Sequence, residues 1–344
     1  MSVPGRKQVQ FTVDPWDPAY GQAFSDEDSG AALDDSSAEL ILDLEVPAAD
    51  WHPIDPEPTL ALPDVVLFLD GVRRIDARVW VHATGGQPAL GLAASLAAGI
   101  VACDTAARVV DVAVERALFT AAPEAAGLNT SAGAYPVLAA AGPGYDKLSL
   151  ALQQRLSALE VDLALAVRKT RQDADDLLVV DGPLRGRVHL DRTVGYIKTH
   201  HASYLPPAQA AVVGALGPGQ RTPAFTMGTS WRRNSWYLQL PSRGNPGGAG
   251  LAPPSGAPWA GVVRIECSAD VPASRVSELA DLTALVLPPL ASAPHKDPRA
   301  PQNLVPIGGL ERELRRRLGD QQLLYRALRS AALTGAAMTG GAMT

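Results

Sequence analysis

The chain has 344 residues, 47% hydrophobic and 19% charged, enough apolar material for one elaborate domain or two modest ones, of which one is expected. Its formal charge of -6 is unevenly spread: residues 1–60 hold 13 acidic and 2 basic residues, leaving 23 acidic against 28 basic in the mildly basic remainder. The two cysteines, Cys103 and Cys267, exclude a disulfide framework or zinc ribbon and point to the cytoplasm; the start lacks a signal peptide's apolar core, and the uncharged stretch Ala83 to Cys103 is too weakly apolar for a membrane span.

Residues 1–60 are rich in Asp, Ser and Pro, with one strand expected at "AELILDLEV", and read as a partly ordered acidic arm. From Pro63 the pattern turns to strands: "DVVLFLDG", "RRIDARVWVHA", "GIVACD" and "ARVVDVAVERALF" predict an antiparallel meander. Residues 121–145 read as an Ala/Gly/Pro-rich linker. The leucines of "YDKLSLALQQRLSALEVDLALAVRKTR" then repeat at helical spacing. Strands follow at "DLLVVDG", "RVHL" and "TVGYIKT", a short helix near 206–216, and further strands at "AFTMGT", "SWYLQLP" and "WAGVVRIECS". Helices are expected at 272–287 and 307–330, then a disordered tail over 331–344. A meander, a helix, a further strand and closing helices give the element order of an α/β, RNase H-like core: a mixed sheet flanked by helices, with extra strands and C-terminal helices.

Two apolar strands end on Asp-Gly beside arginine: "VVLFLDGVRR" and "LLVVDGPLRG". Asp-Gly by itself is a common hairpin signal. Two central strands stopping at the same end, however, bring Asp70 and Asp181 together, and like charges at close range call for a cation between them. Glu160 lies among the apolar residues of the long helix, at i+4 from Leu156, and is a candidate third acid; the alternative is a glutamate at the edge of the stripe reaching for water. Oxygen ligands without cysteine suit Mn²⁺ or Mg²⁺, as a pair of ions in phosphodiester hydrolysis.

Between Gly182 and Leu240 there are seven basic residues and one acid, a backbone-binding signature provided they share a face. Arg73, Arg185, Arg187, Lys198, His200 and Tyr204 are the candidates near the acids. "SWRRNSWYLQLP" adds Arg232 and Arg233 among aromatics, a pattern that fits base stacking or simple core packing. In "SAPHKDPRAPQNL", His295 and Asp297 are candidate late ligands or general acid/base groups.

With Asp70-Gly, Asp181-Gly-Pro-Leu, "VGYIKTHHASYL" and "PQNLVPIGGLERELRRRL" in this order, the chain resembles the NurA nuclease family, over about 65–330. The resemblance implies a nuclease domain over 61–330 that hydrolyses DNA with Mn²⁺, a homodimer, and a HerA-type hexameric ATPase as partner in end resection for double-strand break repair. It assigns catalytic and metal-binding roles to Asp70, Glu160 and Asp181, and the strand-end lysine to Lys198. The family's late histidine is missing, because the stretch after Pro301 and Leu304 reads "VPIGG"; His295, upstream, is the expected substitute. That departure keeps a second reading open, a catalytically weak or inactive DNA-binding clamp subunit.

Overall fold

The computed structural model describes residues 10–15, 39–82, 87–171, 175–187, 190, 192–199, 204–228, 231–241 and 259–340. In chain order the first elements are strands β1 (Gln10–Val13), β2 (Glu39–Ile41), β3 (Val65–His82), β4 (Ala89–Cys103), β5 (Ala107–Thr120), β6 (Leu128–Thr130), β7 (Gly133–Tyr135) and β8 (Val137–Ala139). Then come helix α1 (Tyr145–Lys169), β9 (Asp176–Asp181), β10 (Thr193–Ile197), α2 (Pro207–Gly214), β11 (Phe225–Gly228), β12 (Arg232–Gln239) and β13 (Val262–Ser268). Helices α3 (Ala273–Val286), α4 (Val305–Arg317) and α5 (Gln321–Gly340) close the described chain.

Strands β3, β4 and β5 form the expected antiparallel meander. After α1 the chain returns as β9, parallel to β3, and then β10, parallel to β9. The spatial order β5-β4-β3-β9-β10 is that of an RNase H-like core. Strands β13, β12, β11 and β2 extend it beyond β10, β8 flanks β5, and β1 pairs with the far end of β3, giving an 11-stranded mixed sheet.

Helix α1 forms where the leucine spacing predicts it, with Asp146 in its first turn and Arg168 and Lys169 in its last, a distribution that suits the helix dipole. Its leucines 148, 152, 156, 159 and 163 bury against Leu67 and Leu69 of β3 and Leu178 and Val180 of β9. The other face of the sheet carries α3, packed on Val66, Phe68, Leu177 and Val179. Beside it α4 lies over Val72, Ala97 and Val101. Side chains alternate along a strand, so positions 66, 68, 70 and 72 of β3 face α3 and α4, away from α1.

Five sequence expectations change. Asp70-Gly71 is no turn: "DVVLFLDG" and "RRIDARVWVHA" are one strand of 18 residues, broken only by a bulge between Ile75 and Ala77. Asp76, at that bulge and fully buried, accepts hydrogen bonds from Ser95 (2.5 Å), Arg74 (2.9 Å) and Tyr135 (3.0 Å), which supplies partners for its charge. The Ala/Gly-rich stretch before Cys103 is the central strand β4, covered on both faces, so small residues suffice where helices approach closely. The segment 121–145 carries β6, β7 and β8, and 307–330 is two helices, parted at Gly319 with φ +83°. Helix α5 continues to Gly340, into the Ala-rich stretch expected as a tail.

Part of the acidic arm belongs to the sheet. β2 pairs with β11, and Trp51 packs on Phe225 with ring centroids 5.8 Å apart. Glu45 grips the buried Arg221 at 2.7 and 2.9 Å, and Asp281 of α3 completes the triad at 2.7 Å. Among the described residues no helix is long and apolar enough to cross a membrane.

Candidate active site

Parallel pairing of β3 with β9 ends at Leu69 opposite Val180. The next residue on each strand is an aspartate, Asp70 and Asp181. Strand alternation turns both toward the α3/α4 face, beside Val72 and Val179 respectively. Asp70 is 8% exposed, and its Oδ1 accepts the Gly71 N–H at 2.7 Å. Asp181 Oδ2 accepts from Lys198 Nζ at 2.7 Å. Burial, and then the negative charge of Asp181, push the Asp70 carboxyl up to about 8. Burial also raises Asp181, against the pull of Lys198. Two such groups cannot both ionise cheaply without a cation or a shared proton.

A polar chain runs outward from the pair. Lys198 Nζ also donates to Asn303 Oδ1 at 3.0 Å, and Asn303 Nδ2 donates to Asp297 at 2.5 Å. Arg299 links Asp297 (3.3 Å) to Glu311 of α4 (2.8 Å). Burial would raise Glu311, but hydrogen bonds from Arg299 and Arg315 outweigh it and hold the carboxylate low. Its charge in turn raises both aspartates. The loop carrying Asp297 and Arg299 is closed at its base by Ser292 N–H donating to Asn303 O at 3.1 Å. Gly308, in the first turn of α4, leaves room for this chain: a Cβ there would lie 3.0 Å from Asn303 Nδ2. The start of α4 is thus packed against an amide and a carboxylate. Asn303 and Glu311 escaped the sequence reading; a polar residue just before an apolar helix start, in "PQNLVPIGGLE", was the available signal.

The other candidate acids lie elsewhere. Glu160 is buried on the α1 side of the sheet, ion-paired with Arg187. Gly71 is the reason the helix can come so close: a Cβ there would sit 2.9 Å from Leu156 Cδ1 and collide with the Glu160 carboxylate. His295 is exposed in the loop with Asp297.

Of the candidate phosphate contacts, Arg185 is exposed just after Asp181, Lys198 is engaged with Asp181, and Arg73 is half-buried on β3. Arg187 and Arg233 are buried, paired with Glu160 and Glu266. Tyr204 is half-buried under the Arg264 guanidinium, 5.1 Å from its ring centroid. Arg232 is exposed at the first residue of β12, which runs parallel to β9, so it lies toward the end of the sheet opposite Asp181. With Trp231, Asn234 and Asp270 it lines a cavity of about 350 Å³ there. His200 lies outside the described residues, as does most of the expected strand "RVHL".

Among the described residues no group of three or more His, Cys, Asp or Glu side chains gathers at metal-ligating distance. Two neighbouring carboxylates of raised pKa, Asp70 buried and Asp181 part-buried, still match a hard dication, since Mg²⁺ and its like are held by one or two carboxylates with water and substrate phosphate completing the shell. Asp70 and Asp181 fit that donor set.

Fold and site together define an α/β protein with an RNase H-like core and an acidic centre between its two middle parallel strands. No family model matches the chain, and no curated protein is similar to it in sequence. Among solved structures, the NurA nuclease from Sulfolobus solfataricus is similar over 78% of this chain and 84% of that one, with 11% identity and a TM-score of 0.41.

Proposed function

We propose that the chain is a divalent-metal-dependent DNA nuclease whose centre is the Asp70–Asp181 pair. The observation that carries this is the register: β3 and β9 deliver one buried and one part-buried carboxylate to adjacent positions on one face of the sheet, each raised by desolvation and Asp70 raised further by its neighbour. A bound Mn²⁺ or Mg²⁺ supplies positive charge to a phosphodiester oxygen and to the attacking water. Asp70 and Asp181 would hold it. Lys198, steered by Asp181 and Asn303, orients a phosphate oxygen beside the pair, and Arg185 and Arg299 add cationic charge from exposed positions. The pair of ions expected from sequence stays part of the proposal, with water and substrate phosphate completing the shells that Asp70 and Asp181 would begin. The motif resemblance extends the reading to DNA end resection beside a HerA-type ATPase, with the chain as a homodimer in the cytoplasm.

One observation favours the second reading, a non-cleaving DNA clamp subunit: Lys198 already neutralises Asp181. Degradation of end-labelled single- and double-stranded DNA with Mn²⁺, with Mg²⁺ and with chelator separates them. The expected result is metal-dependent cleavage that falls at least about 100-fold in Asp181→Ala, as for loss of an acid or electrostatic group essential to the reaction. DNA binding without cleavage in any metal would leave the clamp.

A further inference from the structure

The turn that follows Asp181, residues 182–187, is fastened from below by two buried carboxylates outside the acidic centre. Gly182 (φ +109°) turns the chain and donates to Tyr196 O at 2.9 Å. Leu184 N–H donates to Glu266 Oε1 at 2.8 Å; Glu266 is fully buried, with Arg233 at 3.2 Å and Arg264 at 3.6 Å from its other oxygen. At the end of the turn Arg187 is paired with Glu160 and donates back to Pro183 O at 2.9 Å. Gly195 lies beneath: a Cβ there would stand 2.8 Å from Gly182 O and 2.9 Å from Glu266 Cγ, so this position must be glycine for the turn to seat.

Connecting turns ordinarily run over the surface and need no buried ions. Burying carboxylate–arginine pairs costs several kcal/mol of desolvation per ion and is often a poorer source of stability than apolar packing. The arrangement is better explained by what it fixes: the Asp181 backbone at one end of the turn and the exposed Arg185 at its tip. We infer that Glu160 and Glu266 are positioning residues, acting through Arg187 and the Leu184 N–H, which hold this turn so that Arg185 meets the backbone phosphate of a nucleic-acid strand adjoining the one at Asp70 and Asp181. The inference rests on the nuclease reading of that site, and it makes Glu160 a support on the opposite face of the sheet instead of a metal ligand.

The test compares Glu160→Gln, Arg185→Ala, their double variant and Asp181→Asn, with two readouts: Mn²⁺ affinity of the protein alone, and affinity for a single-stranded oligonucleotide across a salt series. Glu160→Gln is expected to keep Mn²⁺ affinity within about 3-fold, whereas Asp181→Asn loses it at least about 10-fold, the scale on which even outer-shell changes at metal sites are felt. Arg185→Ala should weaken oligonucleotide binding and lower the salt slope by about one ion, the signature of one lost phosphate contact. Glu160→Gln should reproduce most of that loss, and the double variant should be no weaker than Arg185→Ala. If Glu160→Gln does not fold, the neutral pair Glu160→Gln with Arg187→Met takes its place and should show the same pattern. Loss of Mn²⁺ binding in Glu160→Gln, or additive effects on DNA affinity, would overturn the inference. Should wild type neither bind Mn²⁺ nor cleave, the nuclease reading fails, while the DNA-affinity arm still decides whether Glu160 acts through Arg185.

Discussion

Asp70 stands beside Asp181 on neighbouring strands, as expected, but for a reason other than the one the sequence suggested. Asp-Gly is a turn signal, and the sequence offered no way to see that Gly71 is required by the approach of Leu156 and Glu160 instead of by its φ. Asp181-Gly182 is the true turn, with Gly182 at positive φ. Glu160 was legible as a buried acid on the leucine face, but its partner, Arg187, is 27 residues away, a long-range pairing that no local spacing encodes. The raised carboxyl of Asp70 has a consequence for stability. A folded-state pKa of about 8 exceeds that of a free aspartate, so the folded chain binds this proton more tightly, and the resulting stabilisation, complete at acidic pH, is lost as pH rises through about 8. Asp70→Asn is therefore expected to raise the melting temperature near pH 8.5, by about 0.5–2 kcal/mol of stability, with the gain shrinking toward pH 5. Melting curves followed by circular dichroism at both pH values check the sign; a gain that grows in acid contradicts the assignment.

At the scale of elements, helices were the easiest to read. The leucines of α1 announce themselves, because a surface helix must bury one stripe. Strand β4 did not, since a strand covered on both faces loses its alternation and, here, its bulk: Gly99 lies against Leu310 and Leu314 of α4, each 2.9 Å from where a Cβ would stand. That contact seats α4 over β3 and β4 and so brings Glu311 toward the aspartates. Gly99→Val is expected to cost about 1–3 kcal/mol through overpacking, read as a lower urea midpoint with an unchanged m-value. The break between α4 and α5 went unread, since one helix was expected over 307–330; Gly319, at φ +83°, ends α4 as a C-terminal glycine does. Arg74 and Arg116 donate to Leu318 O there (each 3.3 Å), Arg74 also to Gly319 O at 2.8 Å, supplying partners for carbonyls the helix leaves open.

For the whole molecule, the element order revealed the central five strands, because the meander, crossover helix and returning parallel strand constrain each other strongly. The outer strands were legible as strands but not in their places, and the acidic composition of residues 1–60 concealed that part of this segment is built into the sheet. Its charges are not all solvated: Glu45 closes the Arg221 triad and Trp51 covers Phe225. Deleting residues 1–60 is therefore expected to leave Arg221 buried without Glu45, a loss on the order of 3–5 kcal/mol for one partner of a buried pair. Thermal melts of the truncated and full-length proteins decide this; equal melting temperatures would mean the segment is only an appendage.

The length of β3 sets which part of the molecule can come loose first. Asp70 sits well inside an 18-residue strand paired with β4 almost end to end, so the fraying that frees loop-borne groups cannot carry it away. Asp181 is the last residue of its short strand. The two carboxylates are therefore held by different means: one is released only when the sheet itself dissolves, the other when the anchored turn beyond β9 lets go, and a change of distance between them in the native ensemble comes from the Asp181 side.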